Sequence, residues 1–278
     1  MRVGVLHPGE MGASVAASLL ASDHEVAWSS AGRSEHSRMR AVELQEFPQL
    51  DDLAAWAEVL ISVCPPASAL AQAQAVHACA FEGFYVDANA IAPATALEIS
   101  QLMGAAFVDG GIIGPPAWQS GTTRMYLSGA HAATAAGWFQ GGVLEVIALP
   151  EAANEVAASA LKMAYAAYTK GHSALLLAVN ALAHRSGVLD ALRSEWAQSL
   201  PALIQRSEAT AKAISPKAWR FAGEMEQISA TFADCGLPPE FHIGAAELYA
   251  RLSEFKGQPP AGLDMLLDAL AQADTSAQ

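Results

Sequence analysis

The first twelve residues constrain this chain most. Val3-Gly4-Val5-Leu6 is a short apolar run of strand length, and His7-Pro8-Gly9-Glu10-Met11-Gly12 turns straight into a helix of small residues over 13–21. A strand, a glycine turn and a helix N-terminus in that order form the opening of a dinucleotide-binding domain. The free N–H groups of the helix's first turn and the helix dipole attract a pyrophosphate. The usual fingerprint is G-x-G-x-x-G. Gly9 and Gly12 hold two of its places, with Glu10 and Met11 between them, and His7 stands where the first glycine belongs. Gly9 would let backbone approach phosphate, Gly12 would let the helix pack on the strand, and His7 reads as a turn residue. The pattern points to NAD or NADP.

The rest of the first half keeps the alternation. Strands are expected at 25–29, 42–44, 59–63, 84–87, 106–109, 125–128 and 144–148, with helices at 51–57, 67–80 and 94–103. The run Val59-Leu60-Ile61-Ser62-Val63 is continuous and apolar, as in a buried parallel sheet. Strands alternating with helices give an α/β domain with a mostly parallel, doubly wound sheet, the Rossmann arrangement. After Pro150 no strand is expected. Residues 151–185 read as one long alanine-rich helix, buried all round and lodged between two subunits, followed by helices at 194–210, 215–233, 239–256 and 262–271 and a frayed tail at 275–278. The division expected is a dinucleotide-binding domain over 1–150 and an all-helical substrate and dimerisation domain over 151–278.

Composition narrows the partners. Of 278 residues, 53% are hydrophobic, enough for a core, and 15 basic against 28 acidic residues leave a net charge of −13. That balance argues against nucleic acid and anionic membranes as partners and leaves a small molecule. Cys64, Cys79 and Cys235 are too scattered for a zinc site or a disulfide framework, so no metal is expected and a reducing, cytoplasmic setting is the default. Gly9 and Glu10 interrupt the first apolar run, which does not read as a signal peptide. Lys162, Lys170 and His172 break the most apolar stretch, so no membrane span is expected.

The end of the second strand bears on the choice of dinucleotide. NAD enzymes place a carboxylate there for the ribose 2′-hydroxyl. Here Trp28-Ser29-Ser30 runs into Ala31-Gly32-Arg33-Ser34. Hydroxyls and a guanidinium welcome a 2′-phosphate, so Ser30, Arg33 and Ser34 favour NADP, with NAD possible.

Ligands in such sheets bind beyond the C-terminal strand ends. Three loops fall there: Cys64-Pro65-Pro66, on the cofactor side; Ala88-Asn89-Ala90, where Asn89 can face cofactor or substrate; and the stretch from Gly110-Gly111 to Pro116. In the long helix, spacing puts Lys162, Tyr165, Ala166, Thr169 and Ser173 on one side. A buried lysine is costly unless paired or lowered in pKa, and a lowered lysine is a useful proton donor and acceptor. Snorkelling to the surface is the alternative for Lys162. Lys170 reads as structural.

Together these stretches resemble the β-hydroxyacid dehydrogenase superfamily, which includes 6-phosphogluconate and 3-hydroxyisobutyrate dehydrogenases and is related to imine reductases. The resemblance runs through Gly9-Glu10-Met11-Gly12, Ser62-Val63-Cys64-Pro65-Pro66, Val86-Asp87-Ala88-Asn89-Ala90-Ile91-Ala92-Pro93, Val108-Asp109-Gly110-Gly111 and Lys162. Residues 219–252 resemble a 6-phosphogluconate-dehydrogenase-like branch with a C-terminal domain of unknown function. The resemblance implies hydride transfer between nicotinamide and a small hydroxyacid-like alcohol or carbonyl, Lys162 as general acid/base, and a homodimer formed through the helical domain. Two departures stand out: Ala166 replaces the family's asparagine one turn after the lysine, and Ile113-Gly114-Pro115 replaces its substrate-anchoring Ser-Gly-Gly. Asn89, Gly110, Gly111, Thr122, Tyr165 and His242 are the candidate substrate contacts. An imine reductase and a non-catalytic NADP-binding protein remain as alternatives.

Overall fold

The computed structural model describes residues 1–150 and 153–272, and the chain divides into two compact units, Met1–Met163 and Ala164–Gln278. The first unit is an eight-stranded sheet. Its strands are β1 (Arg2–Val5), β2 (Glu25–Ser29), β3 (Gln45–Phe47), β4 (Val59–Ser62), β5 (Phe84–Asp87), β6 (Phe107–Ile113), β7 (Arg124–Ser128) and β8 (Glu145–Ala148), in the order β3-β2-β1-β4-β5-β6-β7-β8. The pairing is parallel except between β6 and β7. The order 3-2-1-4-5-6 is that of dinucleotide-binding sheets, in which the crevice opens where the strand order reverses beside β1.

Helices α1 (Glu10–Leu20), α2 (Glu35–Arg40), α3 (Leu50–Trp56), α4 (Ala69–Ala78), α5 (Pro93–Met103) and α6 (Ala132–Ala136) connect the strands. Both sheet faces are buried because side chains alternate along a strand. Val59 and Ile61 join one apolar cluster with Val3, Val5, Val86 and Val108. Leu60 turns the other way, into a second cluster with Leu53, Tyr85, Ile99 and Phe107.

Two expectations about strands need correction. Residues 42–44 are not a strand: they form the turn after α2, where Leu44 donates to Ala41 O, and the strand follows at Gln45–Phe47. Strand β6 does not stop at Asp109. It continues to Ile113 because the antiparallel β7 supplies partners as far as the pair Ile113–Arg124. Gly110 and Gly111 therefore lie within a strand, not in a loop.

The second unit is helical. Helix α7 (Ala157–Arg185) crosses the division, followed by α8 (Leu189–Ser199), α9 (Ala202–Ile214), α10 (Ala218–Asp234), α11 (Glu240–Arg251) and α12 (Leu263–Gln272). The division falls after Met163 rather than at Pro150 because the first two turns of α7 are bound to β6 and β7, as described below. The helix expected from residue 151 begins at Ala157: the Asn154 side chain accepts the Val156 N–H at 2.8 Å and holds a turn there. Residues 151–152 and the tail at 275–278 lie outside the described residues. Pro201 splits the helix expected over 194–210 into α8 and α9.

Inside the helical unit Lys170 is structural. It pairs with Glu224 of α10 at 2.7 Å, and its carbonyl accepts the Tyr249 hydroxyl of α11 at 2.7 Å. Within a single chain, Tyr165, Tyr168, Leu175 and Leu182 of α7 are exposed. Among the described residues no helix is long and apolar enough to cross a membrane.

Candidate dinucleotide and proton-transfer site

The turn after β1 is built for a close approach. Gly9 is the N-cap of α1, and no side chain caps that helix end. Its first N–H groups are thus left for a ligand. Gly12 has no room for a side chain: a Cβ there would lie 2.1 Å from the His7 carbonyl oxygen. Glu10 points outward and pairs with Arg40 at 3.6 Å, while Met11 accepts from the Ser14 hydroxyl through its carbonyl at 2.8 Å.

The loop after β2 presents Arg33. Ser30 is buried, its N–H bonded to Phe47 O at 3.0 Å and its carbonyl accepting the Arg33 N–H at 3.1 Å. Ser34 caps α2, its hydroxyl accepting the Ser37 N–H at 3.3 Å. The Arg33 guanidinium folds back over the end of β1. There it donates to Leu6 O at 2.9 Å, Nδ1 of His7 at 2.7 Å and Oε1 of Gln72 at 3.2 Å.

At the ends of β4 and β5 the polar groups are tied to one another. Oδ1 of Asn89 accepts the Cys64 N–H at 2.6 Å, and its Nδ2 donates to the Ser62 hydroxyl at 3.0 Å and to Asp87 at 2.9 Å. Asn89 is buried, so it joins two loops rather than facing outward. It fixes the Cys64-Pro65 segment, and burial pushes the Cys64 thiol up to about 11.

The sheet register then makes a polar row. Ser62 pairs with Asp87, Asp87 with Asp109, and Asp109 with Ser128 across four neighbouring strands. Asp87 and Asp109 are buried. Burial first, and then the charge of Asp109, raise the Asp87 carboxyl to about 7 against the donors of Asn89. Burial also raises Asp109, opposed by hydrogen bonds from Ser159 and Ser128.

Asp109 is where the sheet takes hold of α7. It accepts the Ser159 N–H and hydroxyl and the Ser128 hydroxyl, while the Ala158 N–H donates to Ser128 at 2.9 Å. Gly111 lets the helix lie close, since a Cβ there would meet Ala158 O at 2.6 Å and the Lys162 Cβ at 3.0 Å. One turn beyond Ser159, Nζ of Lys162 donates to Ile112 O at 2.7 Å. Lys162 is therefore half-buried, with its ammonium at the C-terminal end of β6.

The other candidates fall elsewhere. Thr122 closes the β6–β7 turn by donating to Gln119 O at 2.8 Å. Tyr165 is half-exposed on α7. His242 is buried within the helical unit, its ring 4.2 Å from that of Phe232. Sequence reasoning missed His7 and Gln72 as partners of Arg33, because neither long-range contact leaves a local signal. Among the described residues no group of three or more His, Cys, Asp or Glu could hold a metal ion.

The strand order, the open helix N-terminus and the lysine at the end of β6 define the class of protein: a dinucleotide-fold chain followed by a helical unit. Comparison with known proteins agrees. The conserved protein MTH1747, of unknown function and described as structurally similar to 3-hydroxyacid dehydrogenases, is 26% identical, with 92% of this chain and 99% of that chain covered and a TM-score of 0.66. Mycobacterium tuberculosis 3-hydroxyisobutyrate dehydrogenase, solved with L-serine, is 16% identical over 97% of this chain and 98% of its own, with a TM-score of 0.68. An Aspergillus terreus reductive aminase, solved with NADPH and ethyl levulinate, is 17% identical over 97% and 99%, with a TM-score of 0.54. Residues 183–252 match the family model described as Domain of unknown function (DUF1932). No curated protein matches the chain. The fold is thus the one shared with these solved structures, and the match of residues 183–252 to DUF1932 agrees with the C-terminal domain of unknown function expected from sequence.

Proposed function

We propose that this protein is an NADP-preferring oxidoreductase acting on a small alcohol or carbonyl substrate, with Lys162 as general acid/base. The observation that carries the reading is Nζ of Lys162, held 2.7 Å from Ile112 O at the C-terminal end of β6, the side of the sheet on which such folds take their ligands. The Ile112 carbonyl orients the ammonium. The amine can then give a proton to a substrate oxygen during reduction and take it back during oxidation.

The chain's residues fit a dinucleotide. The uncapped N-terminus of α1 suits a pyrophosphate, and Arg33 with Ser34 suits a 2′-phosphate. When bound, the nicotinamide supplies or accepts the hydride; the protein's part is to hold it and to manage the proton. The reductive aminase solved with NADPH supports the cofactor. Calorimetric titration with NADPH and NADH tests the reading: NADPH should bind more tightly, and uptake of neither nucleotide would overturn it.

A second reading is reduction of a C=N bond by the same hydride chemistry. Ala166 is buried and Ile113-Gly114-Pro115 carries no side-chain hydroxyl or amide, so these positions offer no polar side chain to a hydroxyacid. Cyclic imines assayed beside hydroxyacids and ketoacids separate the two.

The reading includes a homodimer. Tyr165, Tyr168, Leu175 and Leu182 are exposed at spacings of three and seven along α7, which makes a single apolar stripe suited to a second copy. Light scattering coupled to size exclusion gives the mass that tests it.

A further inference from the structure

Arg33 is fixed by three acceptors from separate parts of the first unit: Leu6 O where β1 ends, Nδ1 of His7 in the glycine turn, and Oε1 of Gln72 on α4. Arginine has no acceptor, so Nδ1 of His7 must carry the lone pair, and the ring proton sits on Nε2. Burial and the neighbouring guanidinium both push the His7 pKa down, which keeps the ring neutral and able to accept. The Arg33 backbone is tied as well, through its N–H to Ser30 O at 3.1 Å. A long, flexible side chain is thus held at both ends. Three of its five side-chain N–H groups are engaged in these bonds, and buried Nε has no hydrogen-bond partner.

The guanidinium lies over the C-terminal end of β1, beside the loop that follows β2. In a doubly wound sheet that is the side on which the adenosine ribose is read. We propose that His7, assisted by Gln72, is the positioning residue that sets dinucleotide choice, holding the Arg33 guanidinium where it meets a 2′-phosphate. The proposal rests on the nucleotide-site reading above. It also gives a physical reason for a histidine in the place of the first glycine: the imidazole supplies an acceptor that glycine lacks.

The test is a set of affinities for NADPH and NADH, with thermal melting to confirm folding. His7→Ala should weaken NADPH binding about tenfold or more, the scale of one hydrogen bond to a charged group, and should change NADH binding by no more than about twofold. His7→Asn, whose carboxamide oxygen can still accept, should recover most of the loss. Gln72→Ala, on a half-exposed helix position, should give a smaller loss with the same selectivity, and it keeps the proposal testable if the His7 variants fail to fold. Because His7 acts through Arg33, adding His7→Ala to Arg33→Ala should weaken NADPH binding no further. Equal losses for both nucleotides, or a full further loss in the double variant, would overturn the proposal while leaving the nucleotide site standing. If the wild-type protein takes up neither nucleotide, the site and the proposal fall together.

Discussion

Asp109 caps a helix that starts far along the chain: Ser159 gives the Asp109 carboxylate both its backbone N–H, at 2.8 Å, and its hydroxyl, at 2.5 Å. The carboxylate thus satisfies a first-turn N–H of α7 from across the sheet, at the end where the helix dipole favours negative charge. Asp109→Ala leaves the Ser159 N–H, the Ser159 hydroxyl and the Ser128 hydroxyl without this acceptor. The Ser128 hydroxyl keeps the Glu155 carbonyl at 3.0 Å, so the loss falls on the two Ser159 donors and should cost about 2–3 kcal/mol of stability. Asp109→Asn keeps one acceptor oxygen and should cost less. Urea denaturation of the three proteins checks the order.

Gly111 sets how closely α7 can approach. An added Cβ would sit 2.6 Å from Ala158 O, which is backbone and cannot swing aside. Gly111→Ala should therefore lift the start of α7, destabilise the fold by about 1–3 kcal/mol as overpacking does, and shift Lys162 away from Ile112. Turnover should fall more than the stability loss explains. An unchanged melting temperature together with wild-type turnover would contradict this.

Strand-helix alternation and the mostly parallel sheet were legible because Val59-Leu60-Ile61 and Phe84-Tyr85-Val86 are continuous apolar runs, the mark of strands buried on both faces; the strand order was not. Lys162 stood out because a charge in an alanine-rich helix is expensive. The end of β6 was not legible: Asp109-Gly110-Gly111 looks like a loop, and only the pairing of β7 keeps it extended. The loss of Gly110 and Gly111 from the loop changes what they do, for one glycine clears space for a helix. The roles of Asn89 and His7 were hidden for a related reason. Their partners lie about 25 residues away, at Cys64 and Arg33, and local pattern says nothing about such pairs.

Asp87 should make stability depend on pH. Its carboxyl titrates at about 7 in the fold against 3.8 ordinarily. Between those values the folded state keeps a proton that the unfolded chain has released. This contribution to stability is therefore fully present below about pH 4, declines as pH rises, and levels off above about pH 7. Its span is at most about 4 kcal/mol, from about 1.4 kcal/mol per pKa unit. Asp109, also raised, acts in the same direction. Chemical denaturation at pH 5 and pH 8, repeated for Asp87→Asn, isolates the effect: the variant should lose much of the fall, whatever its absolute stability. An identical slope in both proteins would remove Asp87 from the account.

Lys162 is the residue on which the proposed chemistry turns. Its ammonium donates to the Ile112 carbonyl at the C-terminal end of β6. Lys162→Ala should leave NADPH affinity within about threefold and lower turnover about a hundredfold, the typical contribution of a general acid or base. Lys162→Arg keeps a positive charge and a donor, but a guanidinium does not release its proton at neutral pH. That variant should therefore stay slow, most clearly in the oxidation direction, where the group must accept a proton. Rates measured in both directions at saturating nucleotide distinguish a proton-transfer role from simple charge. Comparable turnover in the alanine variant would leave a protein that binds nucleotide without using this amine, and the catalytic reading of α7 would fail while the glycine turn and Arg33 kept theirs.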